Sequence, residues 1–157
     1  MSALRIKLVT LPLTLYFSTF QRGIRMINGR RQILLQDEIT ATAPLQWRMQ
    51  TNATITPDGA SAKLTIGDKT MMVQLLNPPA GAVFSRSDPV RTANAPKLAV
   101  GQEADQENPG ASVLIISLPA GTYNLQVLFN PQWDNFKSFQ TPPSVALGDW
   151  TLTSHNT

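Results

Sequence analysis

The sequence predicts an all-β chain folded as an antiparallel β-sandwich, and three observations carry that expectation. Short runs of β-branched, aromatic and long apolar residues recur along the chain. Turn-forming clusters separate them: Asn28-Gly29, Pro57-Asp58-Gly59, Gly67-Asp68, Asn77-Pro78-Pro79 and Pro119-Ala120-Gly121. The composition agrees, with 12 prolines, 9 glycines and only 15% charged residues in 157. There is no cysteine, and a domain of this length buries a sufficient core without cross-links.

Residues 1–21 have the layout of a secretory leader. Arg5 and Lys7 precede LVTLPLTLYF, an apolar stretch too short for a hydrocarbon core that needs roughly 20 helical residues. No membrane span is therefore expected. A cleaved leader implies a secreted protein, but Ser18 to Arg22 offer no small-x-small cleavage pattern. An aberrant leader on a truncated protein, or an internal strand through LTLYFSTF, stands beside that reading. The sandwich domain is expected over residues 22–157.

Within it, strands near 22–28 and 31–40 flank Asn28-Gly29, where a two-residue hairpin turn needs positive φ at both central positions. The next strand, 44–56, sets Leu45, Trp47 and Met49 against Gln46, Arg48 and Gln50, one face on a core and the other in water. Pro44, lacking a backbone donor, marks the link from 31–40 and suggests a meander. Strands at 60–66 and 69–77 follow. Ser85 to Pro109 is polar and reads as one long loop. SVLIISL and TYNLQVLF, strands 111–118 and 122–129, read as a central hairpin about Pro119-Ala120-Gly121, and 149–154 as the last strand. Leu114, Ile116, Leu125, Val127, Trp47 and Leu75 are expected to share one core.

The sequence pI of about 9.6 comes from one end. Six bases and no acid precede residue 36, whereas seven bases face all ten acids beyond it. A basic leader explains this more simply than a polyanion footprint, and no aromatic and basic interleaving suggests a nucleic-acid partner.

The ordered strings QDEI, PLQWRMQTNATI, KTMMVQLLNPPAGAVF, DPVRT, GQEADQENPG, YNLQVLFNPQW and TPPSVALGDWTLTSH resemble the C-terminal β-sandwich region of heparinase II/III-like polysaccharide lyases, especially fungal-type members, from about Arg22 onward. Such lyases pair an α/α-toroid catalytic domain with this sandwich and take a proton next to a uronic carboxylate of an acidic polysaccharide. The resemblance covers only the sandwich. It implies a non-catalytic accessory domain, truncated or split, with a toroid lyase domain and acidic polysaccharide as partners. A free-standing secreted carbohydrate-binding module is the alternative. Relatives often carry histidine just before the threonine of the WRM-x-T run; Gln50 stands there, a poor zinc ligand. No metal ligand or cofactor is carried over.

Individual residues fit a non-catalytic reading. The single histidine, His155, falls near the end of the sequence and is expected on a fraying tail. Tyr16 lies in the leader, and Tyr123 alternates with Leu125 and Val127 as a core tyrosine with a bonded hydroxyl would. Asp37 and Glu38 face opposite sides of a strand, and an inward Asp37 would pair with Arg48. Glu103, Asp105 and Glu107 have the spacing to wrap calcium but lack the loop glycine and further oxygens, so solvated acids are the simpler reading.

For carbohydrate binding the candidates are Trp133, in the loop NPQWDNF, with Arg25, Arg30 and Arg31. Arginines near the first hairpin, Arg22 included, either grip uronate or sulfate groups in bidentate fashion or protect an edge strand. Trp47 and Trp150 are the other possible stacking platforms, Trp47 being expected in the core. Asn52-Ala53-Thr54 is a glycosylation sequon if the chain is secreted.

Overall fold

The computed structural model describes residues 4–6, 17–91, 99–101, 108–135 and 138–155. Most of the expected leader, Tyr16 included, and the calcium candidates Glu103, Asp105 and Glu107 lie outside the described residues. The strands are β1 (Leu4–Ile6), β2 (Phe17–Ile27), β3 (Gln32–Ala41), β4 (Leu45–Thr51), β5 (Thr54–Asp58), β6 (Ser61–Ile66), β7 (Lys69–Leu76), β8 (Phe84–Ser87), β9 (Ser112–Leu118) and β10 (Gly121–Pro131). No α-helix occurs among the described residues.

The fold is an all-β sandwich of two unequal antiparallel sheets. The wide sheet runs β1-β2-β3-β10-β7-β6-β5, and the narrow one β4-β9-β8. Between them lies a core in which Trp47, Leu114 and Ile116 of the narrow sheet meet Leu64, Leu75, Leu125 and Val127 of the wide one. All six residues expected in one core are there.

Several expected connections take a different course. Residues 44–56 are not one strand: β4 ends at Thr51 in the narrow sheet, and β5 begins at Thr54 in the wide one. The crossing is held by Thr51, whose hydroxyl oxygen accepts the Ala53 N–H at 3.1 Å. Nor do β3 and β4 form a meander; they belong to different sheets. The same holds for β9 and β10, which pair not with each other but with β4 and β8, and with β3 and β7, respectively. Alternation tells which side chains are buried, but not which sheet receives the strand.

The expected two-residue turn at Asn28-Gly29 is a longer one. Ile27 pairs with Gln32, and Asn28, Gly29 and Arg30 all have positive φ, at 50°, 63° and 69°. The start of the expected long loop, residues 85–87, belongs to strand β8 (Phe84–Ser87), anchored by a buried Phe84 and by its N–H on Gly59 O at 2.8 Å. Strand β2 begins at Phe17, so the expected boundary at 21/22 falls inside it.

The expected strand at 149–154 is absent. A 3-10 turn, Leu147–Asp149, is followed by bends, and this segment covers the outer face of the wide sheet. Leu147 and Trp150 join Ile27, Leu34, Leu76 and Leu128 in a second apolar cluster. Side chains, rather than a strand ladder, hold it: Gln36 Nε2 donates to Val145 O at 2.9 Å, and Glu38 Oε1 accepts the Leu147 N–H at 2.7 Å. Gly23 permits the approach, because a Cβ there would collide with Leu147 Cδ2 and meet the Trp150 ring at 2.7 Å.

Candidate functional site

Trp133 follows β10, where the Gln132 N–H on Thr70 O (2.9 Å) carries the chain past the sheet edge. Its indole Nε1 donates to Arg31 O at 3.2 Å, across 102 positions of sequence. The ring is thus fixed against the β2–β3 turn while the residue stays 47% exposed. Arg30 and Arg31 are exposed on the same turn. Three of the four carbohydrate candidates, Trp133, Arg30 and Arg31, are therefore neighbours.

Arg25 is not with them. Its guanidinium reaches over the outer face to the carbonyls of Thr151 and Leu152, Ser154 Oγ (3.0 Å) and His155 Nδ1 (3.3 Å). Arg25 is a clasp on the C-terminal segment, because its place on the Gly23 side of β2 puts it under that segment. His155 is correspondingly no fraying tail: it is 2% exposed and packs edge-on against Trp150, ring centroids 4.8 Å apart. Burial first, and Arg25 second, lower its pKa below the usual histidine value. Its imidazole is enclosed rather than presented to a ligand.

Asp37 and Glu38 do face opposite sides. Asp37 is fully buried, but its partner is Arg22, not Arg48: Arg22 Nε and Nη2 donate to the two carboxylate oxygens at 2.6 and 2.7 Å. Arg22 and Asp37 are directly opposed in the β2–β3 register, whereas β4 lies in the other sheet. The bidentate contact raises the Arg22 pKa above its ordinary value despite desolvation. Tyr123 is half-buried and its hydroxyl donates to Pro119 O at 2.9 Å. Trp47 and Trp150 are buried, while Gln50 and Asn52 are exposed.

Two features are not apparent from sequence. A polar groove of about 380 Å³ crosses β2, β3 and β10, lined by Thr19, Gln21, Glu38, Thr40, Thr122 and Asn124. Every second residue of these strands was readable as polar, but only the register sets them side by side. The second feature is an uncovered part of the inner face. Along one register row Val127 is fully buried, Leu35 half-buried and Ile24 38% exposed; along the next, Phe129 is buried, Ile33 half-buried and Met26 50% exposed. Burial falls strand by strand because the narrow sheet, tethered through β8 to the β5–β6 turn, does not extend over β2.

No family model matches this chain, and no curated protein matches it significantly. Among the described residues no three His, Asp or Glu side chains converge, and no helix is long and apolar enough to cross a membrane. The exposed features are a fixed aromatic ring beside arginines, a groove with Glu38 in its lining, and an apolar overhang.

Proposed function

We propose that the chain is a non-catalytic accessory sandwich of the heparinase II/III-like lyase type, a partner of a toroid domain that acts on acidic polysaccharide. The observation that supports this best is the overhang of the wide sheet. Ile24 and Met26 continue the core rows of β10 and β3 into solvent, as a face shaped for a polypeptide partner would. The engagement of three titratable groups among the described residues supports it too: His155 is enclosed, Tyr123 is bonded to Pro119 O, and Asp37 is occupied by Arg22. Eliminative cleavage needs a base for the C5 proton and an acid for the leaving oxygen.

The test is an ultraviolet assay for unsaturated uronate product with heparin, heparan sulfate and alginate. The chain alone should give no rise. Added to the toroid domain of a heparinase II/III-like lyase expressed without its own sandwich, it should raise that domain's melting temperature. A rise in product from the chain alone, abolished by Tyr123→Phe or His155→Ala, would overturn the reading.

A second reading, a free-standing secreted carbohydrate-binding module, is favoured by one observation: the Trp133 ring held half-bare beside Arg30 and Arg31. Here the ring stacks on a sugar while the guanidinium groups take its carboxylate or sulfate. Affinity electrophoresis in acidic glycan gels checks it. Retardation lost in Trp133→Ala supports the module, and equal mobility with and without glycan excludes it.

A further inference from the structure

The overhang ends beside an open strand edge. Strand β4 pairs with β9 on one side, and among the described residues no strand pairs with it on the other. Along Leu45–Thr51 the backbone groups of alternate residues, those not directed at β9, therefore line the border of the narrow sheet with no strand partner among the described residues. With β8 tethered at the β5 end of the wide sheet, this border is the one nearer β3 and β2. A strand added to β4 would bond that backbone along one of its edges and turn the side chains of one face toward Ile24 and Met26.

We infer that the β4 edge and the bare inner face of β2 form a single strand-addition site, taking an extended segment of another polypeptide with apolar side chains at alternate positions and an acidic one opposite Arg48. The alternation follows from the strand period, since every second side chain of the guest must face Ile24 and Met26. The acid follows from Arg48, on the solvent side of β4 with Nη1 on Gln46 Oε1 at 2.9 Å. Opposite charges directly across a ladder stabilise it, and like charges destabilise it. Arg48 also argues against a second copy as guest. It is the middle residue of β4, so full-length two-fold antiparallel pairing of two β4 edges would set Arg48 against its own equivalent. The inference rests on the accessory-domain reading only in requiring a polypeptide partner.

The experiment uses the full chain, isotope-labelled, and an end-blocked peptide Val-Thr-Val-Glu-Val-Thr-Val as probe. Hydrogen exchange should slow at β4 amides, and the Ile24 and Met26 methyl resonances should shift. An analogue with proline at both threonine positions, which lacks those donors, should do neither. Arg48→Glu should weaken the glutamate peptide at least tenfold and give preference to the same peptide with lysine at its centre. Unchanged β4 exchange at saturating peptide, or shifts confined to Trp133 or the polar groove, would overturn the inference. So would β4 protection that grows with protein concentration alone, which would make the guest a second copy. Toroid association without β4 protection would sink the strand-addition site and leave the accessory reading standing; β4 protection by the peptide without toroid association would do the reverse.

Discussion

Asp37 is sealed from water, whereas the Arg22 side chain is 32% exposed, and that asymmetry orders the cost of breaking the pair. Arg22→Ala leaves a buried carboxylate without a counter-charge and should cost about 3–5 kcal/mol. Asp37→Asn leaves a guanidinium that can turn to water, so its cost should be smaller. Urea titrations of both variants check the order. His155 gives a pH dependence with a definite sign. Its pKa is lowered in the fold, so the unfolded chain binds the proton more readily, and stability is full above about pH 6.5 and declines as pH falls below it. Melting temperatures between about pH 8 and pH 5 should fall further for the wild type than for His155→Gln. At this scale the sequence was legible in part. Trp47 in the core and a hydroxyl-bonded Tyr123 followed from alternation, but the Arg22 partner of Asp37 and the clasp by Arg25 depend on a register that no local pattern contains.

Elements are held by two clusters of different character. In the inner cluster Ile116 is fully buried between Trp47 and Phe84 on its flanking strands. Ile116→Ala should cost on the order of 2–5 kcal/mol, read by denaturant midpoint. In the outer cluster Gly23 is the weak point: Gly23→Ala drives a methyl group into Leu147 and Trp150. It should destabilise by about 1–3 kcal/mol and speed hydrogen exchange at the Leu147 and Trp150 amides before that of β10. Strands with apolar alternation, such as β4 and β7, were legible. Strand β8 was not, because a single buried Phe84 and polar neighbours give no period. VALGDWTLTSH looked like a strand because its apolar residues alternate, yet it docks through Leu147 and Trp150 on a sheet whose Gly23 makes room.

For the whole molecule, the mismatch of a wide sheet with a narrow one explains both its core and its bare surface. Sheet assignment was the part least open to sequence reasoning, since Asn52-Ala53 and Pro119-Ala120 serve equally as hairpin turns or as crossings between sheets. The neighbouring exposed groups divide by end: Trp133, Arg30 and Arg31 at the β2–β3 turn, and Ile24 and Met26 on the inner face of β2. The most direct measurement is sedimentation or calorimetric titration of the chain with a sandwich-free toroid domain of a heparinase II/III-like lyase. Wild type and Trp133→Ala should associate alike, while Ile24→Glu and Met26→Glu, at sites exposed enough to leave folding intact, should lose association at least tenfold. No association by the wild type, or equal association by all four, would contradict the account.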